Sequence, residues 1–146
     1  MKRKAPEFAG LTNWINSEPI ESLDSLKGKV VLIDFWTYSC INCIRTLEHN
    51  KGLWEKYKTD DFVLIGIHAP EFAFEHHLEN VKREVNKFGI TYPVVQDNDF
   101  ATWYNFKNKY WPAVYIIDKE GDIRYTHFGE GKYQEIDDVV AELLAK

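Results

Sequence analysis

The chain has 146 residues, 45% of them hydrophobic and 15% aromatic, and a formal net charge of −5. That suffices for one domain with its own core, leaves little room for a second, and argues against disorder. Acids and bases are interspersed, which excludes the concentrated basic face of a nucleic-acid-binding protein, and no apolar run approaches the ~20 residues of a membrane span.

In chain order, the basic cluster Lys2 to Lys4 reads as a solvated start, and no apolar stretch follows it to form a signal peptide. The stretch 5–29 is rich in turn formers and is expected to hold short strands. Residues 1–27 are assigned to an N-terminal extension and 28–146 to the core of a single domain. "VVLIDFW", Val30 to Trp36, is a near-continuous apolar run with β-branched residues, the pattern of a strand buried on both faces. After "TYSC" the pattern turns helical, with Ile44, Leu47, Trp54 and Tyr57 able to share one face across Lys51. "FVLIGIH", Phe62 to His68, reads as a second buried strand. Phe74, Leu78, Val81, Val85 and Phe88 follow at helical spacing, and Gly89 is placed to close that helix.

"ITYPVVQD" predicts a short strand and "NDFATWYNF" a short helix. "AVYIID" and "DIRYTHF" flank "KEG" as a β-hairpin, and Ile136, Val139, Val140, Leu143 and Leu144 form the stripe of a closing helix. Alternating strands and helices, then a hairpin and a last helix, predict an α/β fold with a mixed central sheet.

The chemistry centres on "SCINC", which holds the only two cysteines, Cys40 and Cys43. Three readings compete: a redox pair, half of a metal site, or two small buried hydrophobes. The map puts Cys40 just past the carboxyl end of a buried strand, where open α/β sheets place their sites and where a helix begins. A helix start offers unpaired N–H groups and a partial positive charge, which favour a thiolate. Cys43, one turn on, is placed to attack a mixed disulfide formed at Cys40. Structural zinc requires four ligands; there is no second Cys-x-x-Cys pair, and His49, His68, His76, His77 and His127 are scattered, so no metal is expected.

"VLIDFWTYSCINC" and the later "KYWPAVYIID" resemble the thioredoxin superfamily: an apolar strand, Asp-Phe-Trp, three residues, Cys-x-x-Cys, and a proline before a downstream strand. "DFWTYSCINCIRTL", "HAPEFAFE", "YPVVQDNDFATW" and "YWPAVYIID" are similar, more narrowly, to the TlpA/DipZ branch, which is related to AhpC/TSA proteins; the likeness covers roughly residues 5 to 145. The resemblance implies a thioredoxin fold and a thiol–disulfide oxidoreductase without a cofactor. It implies catalytic roles for Cys40, Cys43, the buried acid Asp34 and a cis-proline at Pro112. It also suggests that Trp36, Tyr38, Trp111 and Glu71 line a surface for substrate. The expected partners are proteins carrying disulfides and a membrane electron donor, with a monomeric, extracytoplasmic domain. A non-catalytic binding module and a peroxidase remain the competing functions, and disulfide oxidation the competing direction. Two positions depart from the superfamily pattern: Asn42 stands where many thioredoxins carry proline, and Glu48 replaces a helix-kinking proline, so the first helix is expected to run straighter.

Overall fold

A computed structural model describes residues 3–146; Lys2 of the basic start lies outside them. Seven strands and four helices are formed among the described residues. The strands are β1 (Arg3–Lys4), β2 (Thr12–Ile15), β3 (Val30–Trp36), β4 (Phe62–His68), β5 (Val94–Gln96), β6 (Ala113–Ile117) and β7 (Asp122–Phe128). The helices are α1 (Ile41–Tyr57), α2 (Leu78–Lys87), α3 (Ala101–Asn105) and α4 (Tyr133–Leu144). One sheet runs β1-β7-β6-β3-β4-β5-β2. β3, β4 and β5 are parallel neighbours, and the β6–β7 hairpin lies antiparallel beside β3.

β3 is central, and all seven of its residues are buried because both faces of the sheet are covered. Its alternation divides the core. Val30, Leu32 and Trp36 pack under α1, α2 and α4, with Leu47, Leu53, Val81, Val85, Ile136, Val140 and Leu143. Val31, Ile33 and Phe35 face the other way, onto Trp103, Phe106 and Tyr115. That second face is covered by α3 and by Phe8, Leu11, Trp14, Ile20 and Leu26 of the N-terminal stretch, which also supplies both edge strands of the sheet.

Two expectations require correction. The buried stripe of α1 is Cys43, Thr46, Leu47, Asn50, Leu53 and Tyr57, whereas Ile44 and Trp54 are only half-buried. The helix is rotated so that polar Asn50 points at β3, a rotation that apolar periodicity alone cannot reveal. Phe74 is not on the α2 stripe; it belongs to a separate 3-10 turn (Ala73–His76) and is 50% exposed. His77 is extended, so α2 starts afresh at Leu78. Gly89, with φ +68°, ends that helix in the left-handed conformation. α1 runs without interruption past Glu48, which is exposed and bonded to Lys51.

Candidate active site

β3 delivers the chain to the carboxyl end of the sheet, where Thr37 to Ser39 turn it into α1. Cys40 is the N-cap of that helix, held extended at φ −83°, ψ 116°, and its Sγ accepts the backbone N–H of Cys43 at 3.2 Å. A sulfur in the place of a capping oxygen is stabilised as an anion. The Cys40 thiol is lowered to about 6. The largest cause is the hydrogen bond from the Cys43 side chain; the N–H groups of Cys43 and Asn42 add to it, while partial burial and the Glu71 carboxylate oppose it.

Cys43 is fully buried. Burial pushes its thiol far above the ordinary range, and its hydrogen bond to Cys40 and the charge of Asp34 push the same way. The pair is therefore one half-buried thiol that ionises readily beside one enclosed thiol, both free of a disulfide in this structure.

Asp34 lies on the α1 side of β3, between Gly66 of β4 and Val114 of β6. It is fully buried, so the side chain is not a surface residue of the strand. Burial raises its pKa well above the carboxylate range; the Asn50 Nδ2–H group, donating to Oδ2 at 2.9 Å, opposes this, and Cys40 adds to the rise. The Trp111–Pro112 peptide bond is cis, and Pro112 leads into β6 beside the reactive end of β3. Gly129 donates its N–H to the Pro112 carbonyl at 2.8 Å.

The remaining expected site residues separate. Trp36, on β3, is wholly buried and Tyr38, in the turn after it, is 8% exposed, so neither lines a surface around Cys40. Tyr38 stacks on buried His68, whose ring meets Trp36 edge-on, and burial lowers the His68 pKa to about 4, leaving a neutral packing residue. Trp111 is half-buried, and its Nε1–H donates to the Ala69 carbonyl at 2.8 Å. Glu71 is exposed, and its charge bears on Cys40.

Glu75, the last residue of the "HAPEFAFE" block but not singled out there, is the carboxylate that organises this end. It is fully buried; Oε2 accepts the Ser39 N–H at 3.1 Å, and Oε1 accepts those of Glu71 and Phe72 at 2.9 and 3.0 Å. Burial raises its pKa, but these donors and Thr37 outweigh burial and hold it below its ordinary value. The turn before Cys40 is thus tied to the loop after β4. Ile41 next to Cys40, and Phe72 and Phe74 in the loop that Glu75 ties to it, are large apolar side chains left exposed.

Comparisons with known proteins agree with this geometry. The family described as AhpC/TSA matches residues 1–126. Protein DipZ of Mycobacterium tuberculosis is 48% identical over 143 residues, covering 96% of this chain, which spans 20% of DipZ. Thiol-disulfide oxidoreductase YkuV of Bacillus subtilis is 27% identical over 146 residues, covering 100% of this chain and 97% of the relative. The solution structure of a thioredoxin-like protein in its oxidised form superposes with a TM-score of 0.86 at 28% identity, covering 99% of this chain and 96% of that one. The fold is thioredoxin-like.

Proposed function

The chain belongs to the AhpC/TSA family, and from that premise we propose that it is a thiol–disulfide oxidoreductase acting on the disulfides of other proteins. The observation that carries this reading is the opposed state of two sulfurs one helical turn apart: Cys40 lowered to about 6 at a helix N-cap, Cys43 enclosed and raised.

The Cys40 thiolate attacks one sulfur of a substrate disulfide, forming a mixed disulfide and expelling the other sulfur as a thiolate. Cys43 then passes its proton to Asp34, attacks Cys40 Sγ and releases the second substrate thiolate. Two electrons have moved to the substrate, and the Cys40–Cys43 disulfide remains until a partner dithiol reduces it. A Cys40 that ionises near pH 6 reacts at neutral pH, while a retained proton on Cys43 keeps it from competing for the first attack.

Protein substrates are supported by the exposed apolar side chains around Cys40, since a flexible polypeptide can cover Ile41, Phe72 and Phe74. Reduction is the preferred direction, with a membrane protein as electron donor and an extracytoplasmic location for the domain; these rest on the resemblance of the sequence motifs to the TlpA/DipZ branch. The domain is proposed to work as a monomer with residues 1–27 as its N-terminal extension. Among the described residues no helix is long and apolar enough to cross a membrane. A reduction potential near about −270 mV supports the reductase direction, and one near about −120 mV assigns the domain to disulfide formation.

Incubating a Cys43→Ser variant with a disulfide-containing protein should accumulate a mixed disulfide at Cys40. Cys40→Ser should accumulate none. Absence of the adduct in Cys43→Ser removes this mechanism.

A further inference from the structure

Beneath Cys43 the core contains unpaired polar groups, of which the redox cycle above uses only Asp34. Asp34 Oδ1, the Tyr92 hydroxyl and the Trp36 indole N–H are all buried without a hydrogen-bond partner among the described residues. Tyr92 and Trp36 are fully buried, as is Asp34. They meet above Gly66, the β4 residue in register with Asp34: a Cβ there would lie 3.0 Å from Trp36 Nε1 and 3.2 Å from Tyr92 Cε1. The missing side chain of Gly66 is what lets both rings reach the strand beside Asp34.

A buried polar atom without a partner destabilises the fold, so three unpaired groups in one place require a reason. Their neighbours supply one. The Asn50 amide donates to Asp34 Oδ2 at 2.9 Å and also faces the Tyr92 hydroxyl. The titratable groups facing Asp34 are Cys40 and Cys43 at the start of α1 and Tyr92 before β5; β4 and β6 present Gly66 and Val114, without charge.

We propose that Asn50 and Tyr92 are positioning residues for the resolving step: the amide holds one oxygen of the Asp34 carboxylate and the phenol serves the other, keeping it able to take the proton that leaves Cys43. This rests on the oxidoreductase reading and adds to it. In the step, the Cys43 S–H bond breaks and its proton passes to Asp34. The electron pair left on sulfur forms the bond to Cys40, and the substrate sulfur departs with the pair of the broken mixed disulfide. Burial alone favours a protonated carboxyl, which cannot accept. The Asn50 donor favours the ionised form, a phenol turned onto the unpaired Oδ1 during the step adds to it, and each pKa unit so supplied is a tenfold change in its population below the midpoint.

Single-turnover reaction of the full chain with Ellman's reagent separates the steps, because attack by Cys40 and resolution by Cys43 each release one thionitrobenzoate. In Tyr92→Phe, which keeps the ring, and in Asn50→Ala, the second phase should slow about tenfold at pH 7 and recover at alkaline pH. The first phase should keep its wild-type pH midpoint. An unshifted second-phase profile in both variants, or equal slowing at every pH, overturns the proposal. A wild-type protein with no second phase overturns the oxidoreductase reading, and this proposal with it.

Discussion

The two faces of β3 are built on opposite principles. On one, Phe35 sits edge-on to Trp103, Phe106 and Tyr115 at 5.6, 5.6 and 5.7 Å. Polar groups there are mostly paired: the Tyr115 hydroxyl donates to Asn108, and Asp97 accepts the N–H groups of Thr102 and Trp103, with Thr126 Oγ1, in register with Tyr115, the exception. On the other face, one residue along the same strand, Asp34 and its neighbours Trp36 and Tyr92 leave buried polar atoms unpaired. A strand alternates faces at every residue, so structural and chemical demands are met by adjacent side chains without compromise between them. The first face holds the sheet together, and the second leaves polar atoms unpaired beneath the two sulfurs.

If that division is correct, the largest stability effect belongs to the face without chemistry. Phe35→Ala should cost ~3–5 kcal/mol, a large share of the ~5–15 kcal/mol of an ordinary domain, read as a lower urea midpoint. The folded fraction should still alkylate Cys40 with a pH midpoint of about 6. A displaced midpoint would break the comparison.

Asp34→Asn should act in the opposite sense. The folded-state pKa of Asp34 is raised by burial, so its proton stabilises the fold at low pH and that contribution is lost as pH rises through the folded-state value. An amide has no such dependence. The variant should equal the wild type near pH 4 and become the more stable of the two toward pH 8, by an amount within the ~0.5–3 kcal/mol of most single substitutions. Its second-phase release of thionitrobenzoate should slow as well. Parallel stability curves across that pH range would sink the idea that this face carries a cost in stability.

The structural face and the position of Cys40 were legible in the sequence, whereas the inner wiring of the reactive face was legible only in part. Val30 to Trp36 form the expected strand because an unbroken apolar run has few other stable fates, and Cys40 follows it into the helix start as expected. Asn50 lies seven residues, about two helical turns, after Cys43, so the helical period brings both to one face. The apolar stripe drew attention to Ile44 and Trp54 instead. Glu75 stands in the "HAPEFAFE" block, but its contact with Ser39 spans 36 positions, so the tie to the Cys40 turn was not legible there. Tyr92 beside Pro93 reads as ordinary core, and Trp36 was expected at the surface because its place beside the motif masked the burial its strand imposes.

The smallest effect should come from the rim. Glu71 is exposed and its negative charge disfavours the Cys40 thiolate, so Glu71→Gln should lower the Cys40 midpoint and speed alkylation near pH 6. Exposed charges at this range contribute ~0.2–1 kcal/mol, which limits the gain to about fivefold at low salt, and screening should erase most of it at ~1 M salt, where the Debye length falls to ~3 Å. Glu71 and Glu75 share a loop, yet only Glu75 is enclosed and bonded to the Cys40 turn. If neutralising Glu71 changed Cys40 reactivity more than tenfold, or changed it equally at high salt, the state of the sulfurs would be set from the surface. The buried contrast between Asp34 and its apolar neighbours on β3 would then lose its explanatory role.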